Sequence, residues 1–265
     1  MKRVSVEALG SWAIVTGASS GIGRAFAQEL ANAGFNLVLV ARRAPPLQAV
    51  CDELMTQSLV RCKAVAIDLA SSDFLDALAQ ATEGLDIGLL VSNAGGANPG
   101  KFIANTSERL CAELAVNTMA HALLGHYFAK KMAARGRGVI IFVSSIAGLQ
   151  PVPFLSTYAA SKAFVDTLGR SLREELRFDN VSVHVLLPGP TDTRLRTAMG
   201  FEASRMRPMT AGACAKSALR AVERDIAWHI PNRALRWVLA FLPRRLVSHI
   251  LGRTMQRLLS RQRPG

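Results

Sequence analysis

The stretch WAIVTGASSGIGRAFAQEL, Trp12 to Leu30, decides how this chain folds. Its first five residues form a short apolar run of the kind that lies buried on both faces of a parallel sheet, and its last residues read as the start of a helix. Between them Gly17, Gly21 and Gly23 permit a tight turn and a close backbone approach. Such a turn delivers a helix N-terminus whose free N–H groups and dipole favour a pyrophosphate. The spacing G-x-x-x-G-x-G differs from the commoner G-x-G-x-x-G but keeps its mechanics.

Working outward, the same alternation repeats. Apolar runs NLVLVA (36–41), KAVAID (63–68), IGLLVS (87–92), VIIFVS (139–144) and VSVHVLL (181–187) read as strands. Helical segments begin near Gly21, Pro45, Ser71, Ser107 and Phe154. Strand, helix and strand in this order predict right-handed crossovers and an α/β fold: one Rossmann-type domain over residues 1–265, its doubly wound parallel sheet carrying helices on both faces. After Leu187 the character changes. Residues 190–225, approximately, read as a loop or lid in which Met199, Phe201, Met206 and Met209 either close over an apolar ligand or pack on the sheet edge. A helix from about Ala211 to Arg224 and a last strand in IAWHIP follow, and residues from about 231 to 265 form a basic amphipathic tail.

Lys and Arg number 32 against 19 Asp and Glu, a net charge of +13. Eight of those positive charges are tail arginines (Arg233, Arg236, Arg244, Arg245, Arg253, Arg257, Arg261 and Arg263), and no acid lies beyond Ala227. Concentration in one tail, without a recognition motif, argues against a nucleic-acid partner. The tail's mix of Leu, Trp and Phe with arginines suits either an apolar stripe packed on the domain or a second subunit, the favoured reading, or a peripheral contact with an anionic membrane. No apolar run approaches the ~20 residues of a bilayer crossing, and the N-terminus lacks the apolar core of a signal peptide. The four cysteines, Cys51, Cys62, Cys111 and Cys214, show neither metal-ligand spacing nor a disulfide framework, which points to a reducing, cytoplasmic setting. The five histidines lack zinc spacing too, so no metal is expected.

The second strand ends in Val40-Ala41-Arg42-Arg43. Folds that take NAD commonly place an acid there for the ribose 2′-hydroxyl; with that acid missing and two guanidiniums present, NADP is the expected cofactor. Further along, STYAASKAF (156–164) sets Tyr158 four residues before Lys162, on one helical face. A free phenol near pKa ~10 shuttles protons poorly at neutral pH, so a neighbouring ammonium is expected to stabilise its anion.

Taken in order, TGASSGIG (16–23), Asp68-Leu69, NAG (93–95), Asn117, Ser145, YAASK (158–162) and PGPTDT (188–193) make the chain resemble the short-chain dehydrogenase/reductase family over roughly residues 10–195. The resemblance implies that Gly17, Ser19, Ser20, Gly21, Ile22 and Gly23 hold the cofactor phosphates, with Arg42 and Arg43 at the 2′-phosphate. It implies Asp68 and Leu69 against the adenine, Asn93, Ala94 and Gly95 along the cofactor, and Pro188, Gly189, Thr191 and Thr193 on the nicotinamide side. It makes Tyr158 the general acid, Lys162 its tuner and a holder of the ribose, Ser145 the group that polarises the reacting oxygen, and Asn117 the holder of a relay water. Ser144 competes with Ser145, but strand alternation sends its side chain the other way. Ser92 departs from the family, in which an asparagine commonly precedes NAG.

The function expected on this basis is NADP(H)-dependent interconversion of a ketone or aldehyde with an alcohol, on an apolar or acyl-chain substrate, by a homodimer or homotetramer. The alternatives are a catalytically idle NADP-binding interaction protein and a lipid or steroid reductase seated on a membrane surface.

Overall fold

The computed structural model describes residues 4–198, 208–232 and 244–261. Seven strands form one parallel sheet: β1 (Trp12–Thr16), β2 (Asn36–Ala41), β3 (Cys62–Ala66), β4 (Ile87–Ser92), β5 (Gly138–Val143), β6 (Val181–Leu186) and β7 (Trp228–His229). Their order is β3-β2-β1-β4-β5-β6-β7, so the winding reverses between β1 and β4. Reversal opens a crevice at the C-terminal ends of those two strands, where sheets of this type take ligands. The ranges of β1, β2 and β4 are those read from the sequence. The third strand ends at Ala66 rather than Asp68, and the last is only the Trp228–His229 pair.

Side-chain alternation along β1 builds both layers. Ala13 and Val15 enter a core with Phe26, Leu30, Leu47 and Leu54, while Trp12 and Ile14 enter another with Leu78, Leu124, Phe128 and Val165. The first core is supplied by helices α2 (Gly21–Asn32), α3 (Ala44–Gln57) and α9 (Ala211–Glu223), which follow the short α1 (Val6–Leu9) and later α8 (Arg194–Ala198). The second lies under α4 (Phe74–Ala81), α6 (Ala120–Ala134) and α7 (Ser156–Glu175). Helix α5 (Ser107–Leu114) runs into α6 through a π turn, Ala115–Met119. The tail contributes α10 (Arg244–Arg261).

Two sequence readings need amendment. Cys51 of α3 and Cys62 of β3 are disulfide-bonded, their Cα atoms 5.4 Å apart. Their separation of 11 residues concealed the pair, because only the return of α3 against β3 brings the two sulfurs together. Cysteine usage therefore ceases to argue for a reducing compartment. Of the four lid residues, Met209 packs partly buried against the first core, next to the Thr191–Met209 backbone bridge; Met199, Phe201 and Met206 lie outside the described residues, as do Arg233, Arg236 and Arg263 of the tail. Among the described residues no helix is long and apolar enough to cross a membrane, and no cluster of His, Cys, Asp and Glu has the make-up of a metal site.

Candidate active site

The crevice predicted by the strand order holds a groove of about 580 Å³. At one end the turn after β1 brings Gly17 into the left-handed region (φ 67°), and a Cβ on Gly23 would lie 2.4 Å from the Gly17 carbonyl oxygen. Only glycine fits either place. Ser20 caps α2 from an extended backbone without a side-chain hydrogen bond, and the first turn carries no acid, so its N–H groups face the groove uncompensated. Ser19, Ser20, Gly21 and Ile22 line it; Gly23 stands behind them as packing.

Arg42 and Arg43 line the same groove, both exposed and without an ion-pair partner among the described residues. Asp68 and Leu69 stand near them, Asp68 Oδ1 accepting from the Ala70 N–H at 3.0 Å. Asn93, Ala94 and Gly95 form the floor. Thr16, which sequence reasoning passed over, fastens that floor: its hydroxyl oxygen accepts from the N–H groups of Asn93 (2.9 Å) and Ala94 (3.0 Å), while the Asn93 amide donates to the Thr16 carbonyl (2.8 Å). A cradle of glycines and free N–H groups, ending at two unpaired guanidiniums, fits a dinucleotide with an extra phosphate.

The groove opens into a mostly apolar cavity of about 240 Å³. Tyr158, Lys162, Ser145, Pro188, Gly189, Thr191 and Thr193 line it, together with Asn93 and Gly95 from the groove floor. Ser144 also borders the cavity but does not compete: its hydroxyl is spent donating to the Lys162 carbonyl at 2.6 Å. Ser145 accepts from the Ala147 N–H at 3.1 Å and caps a short 3₁₀ turn. Asn117 is fully buried in the π turn; its amide brackets Gly96, Oδ1 accepting from the N–H at 2.9 Å and Nδ2 donating to the carbonyl at 2.8 Å, with a further bond to Ser161. The side chain expected to hold a water is thus engaged with protein.

Burial governs the ionisation here. The phenol of Tyr158 is pushed above its ordinary value, chiefly by loss of hydration, with a hydrogen bond from Ser145 opposing and the Glu113 carboxylate adding to the rise. Lys162 is brought down to about 8 by the same loss of hydration. The net direction for the phenol is upward, whereas the sequence alone leads one to expect the ammonium to stabilise its anion. Lys162 Nζ donates to the Val143 carbonyl at 2.9 Å and sits 5.9 Å from the Tyr158 ring centre.

The far wall comes from segments the motifs do not cover. Leu195, Arg196 and, from α10, Leu251 line the cavity; Met255, 1% exposed, packs with Val152, Leu155 and Tyr158. The tail thus packs on its own domain through these residues. Nothing in the local sequence of α10 announces which residues touch Tyr158.

Comparison with known proteins agrees with this geometry. A family model described as short chain dehydrogenase matches residues 11–202. The chain is similar to a very-long-chain 3-oxoacyl-CoA reductase of Anas platyrhynchos, 31% identical over 258 residues, covering 96% of this chain and 82% of the relative. It is also similar to the protein of that name from Pyricularia oryzae, 39% identical over 183 residues, which is 67% of this chain and 55% of the relative, so the chain spans about half of that protein. Among solved structures, a short-chain dehydrogenase from Sphingobium yanoikuyae in complex with NADPH superposes with a TM-score of 0.80 at 32% identity, covering 96% of each chain.

Proposed function

This chain belongs to the short-chain dehydrogenase family, and from that premise we propose that it is an NADP(H)-dependent reductase converting the ketone of an apolar 3-oxoacyl substrate to an alcohol. One observation carries the reading: Tyr158, Ser145 and Lys162 converge in an apolar cavity that continues the groove ending at Arg42 and Arg43.

In this reading the phosphate loop and the two arginines hold the cofactor, which when bound supplies the hydride. The protein's own task is the proton and the geometry. The Ser145 hydroxyl donates a hydrogen bond to the substrate oxygen and holds it beside the Tyr158 hydroxyl. Tyr158, kept protonated by burial, gives its proton to that oxygen as negative charge develops there. Lys162, in the same cavity, stabilises the resulting phenolate by its charge and returns a proton to it. In the reverse direction the phenolate is the base.

The test follows NADPH absorbance with aldehydes, ketones and 3-oxoacyl thioesters of increasing length. Tyr158→Phe is expected to lower turnover by about 10³-fold or more while leaving NADPH binding within about 3-fold of wild type. Undiminished turnover sinks the mechanism; NADPH binding with no substrate in the panel reduced by the wild type favours the idle binding protein.

The exposed apolar residues Leu114 and Met119 of the α5–α6 helix and Phe164 of α7 suit a second copy of the chain, so a homodimer or homotetramer forms across them. Leu251 and Met255 of α10 are used on its own domain, which supports a tail packed on the protein over one seated in a membrane; flotation of the full chain with anionic liposomes at low salt would reverse that order.

A further inference from the structure

From Asn93 to Asn98 the backbone has left β4 and lies outside the sheet, yet it lines the cofactor groove. Its polar groups must find partners elsewhere. They find them on one stripe of the α5–π–α6 helix. Glu113 Oε2 accepts from the Asn98 N–H (3.1 Å) and from the Asn98 amide (2.9 Å). Asn117 brackets Gly96 through both its backbone groups. His121 Nε2 donates to the Ala94 carbonyl (3.1 Å), which leaves Nδ1 to accept from the Ser92 hydroxyl at 2.7 Å.

Residues 113, 117 and 121 therefore hold residues 98, 96, 94 and 92 in reverse order. Four residues of helix rise about 6 Å, and two residues of extended chain span about 6.6 Å. The two repeats match. An α-helix overshoots by about 40° every four residues, and the π turn at Ala115–Met119, with more residues per turn, takes back part of that drift where Asn117 sits. The even-numbered residues are gripped from behind, and the odd-numbered Asn93 and Gly95 reach the catalytic cavity. Ser92, the departure from the family's usual asparagine, is the end rung.

Each grip is stronger than simple packing demands. Glu113 is 6% exposed and its Oε1 is buried without a partner, a costly choice where a neutral side chain would satisfy the same N–H groups. What the carboxylate adds is two charge-assisted bonds on Asn98. We propose that Glu113 and His121 are positioning residues which, with Asn117, form a three-rung clamp that holds Asn93 and Gly95 in register for cofactor binding and hydride transfer. Only the kinetic part of this proposal rests on the reductase reading.

The experiment combines hydrogen exchange, NADPH titration and steady-state kinetics on the full chain. In wild type the Gly96 and Asn98 amides are expected to exchange slowly despite lying outside the sheet; fast exchange there overturns the clamp whatever any variant does. Glu113→Ala should speed Asn98 exchange by about 10–100-fold, with β1 amides unchanged. It should also weaken NADPH binding about 10-fold and lower kcat about 10-fold, with the ketone KM moving less than about 3-fold. Glu113→Gln keeps an acceptor oxygen and should restore most of the binding and exchange protection. Unchanged exchange and binding in Glu113→Ala, or no rescue by Glu113→Gln, overturns the proposal. If the wild type binds NADPH but reduces no ketone, exchange and binding still decide the clamp, and the reductase reading alone falls.

Discussion

The two walls of the catalytic cavity are built differently. The cofactor wall, from Thr16 to Gly23 and from Ser92 to Asn98, is held by hydrogen bonds from buried side chains: Thr16, Glu113, Asn117 and His121. The substrate wall, Leu195, Leu251 and the cluster around Met255, is held by apolar contact among segments far apart in the chain. Hydrogen bonds have direction and demand particular residue types at particular places; apolar contact asks only for fit. The first wall should therefore fail sharply and for every substrate, the second gradually and selectively.

The cofactor end of the groove gives the sharpest test. Arg42 and Arg43 are its cations for a 2′-phosphate, and the end of β2 that bears them carries no acid. Replacing both by Ala is expected to weaken NADPH binding about 100-fold while NADH binding stays within about 3-fold, since a hydrogen bond to a charged group contributes about 1.5–3 kcal/mol. Fluorescence titration with each cofactor measures it. Equal losses for both would mean that the arginines shape the groove and do not read the phosphate.

His121 exposes the cost of the polar wall. Burial and the nearby Lys162 charge depress its pKa to about 3, so the native ring is neutral while the unfolded ring protonates near 6.5. Between those values the unfolded state binds more protons, and stability rises with pH. The contribution is complete above about pH 6.5 and is lost as pH falls towards 3, amounting to roughly 2 kcal/mol at pH 5. Urea unfolding of wild type and His121→Gln from pH 4 to 7 should show the steeper acid loss in wild type. Glu113 and Asp166, whose carboxyls burial raises, tilt the curve oppositely in both proteins and drop out of the difference. Parallel curves would mean that the ring is hydrated and not a buried rung.

This contrast also explains what was legible in the sequence. Glycines at a turn, an acid absent after β2 and a Tyr-x-x-x-Lys pair are local demands, readable because each concerns neighbours in the chain. Glu113, Asn117 and His121 recur every four residues and were readable in principle, but each has an ordinary meaning until the segment they grip is known. The Cys51–Cys62 bond and the raised phenol of Tyr158 depend on how elements close over one another. The contact of Met255 with the catalytic cluster joins a tail residue to a helix from the middle of the chain, and no periodicity in α10 specifies it.

Leu251 tests the apolar wall with the smallest effect. It lines the cavity from α10 and is half-buried, so truncation removes contact area from the substrate without leaving a polar group unpaired. A fully buried leucine is worth about 1.5–3 kcal/mol, and partial burial brings the expected cost near 1.4 kcal/mol, a factor of about ten. Leu251→Ala should therefore raise KM about tenfold for long-chain 3-oxoacyl thioesters and leave short ketones, which do not reach α10, within about 2-fold. NADPH affinity should not move, because Leu251 has no part in the groove. A uniform loss across chain lengths would place α10 with the rigid wall and erase the distinction between the two; an effect confined to long chains would mark the tail helix as the element that measures the substrate.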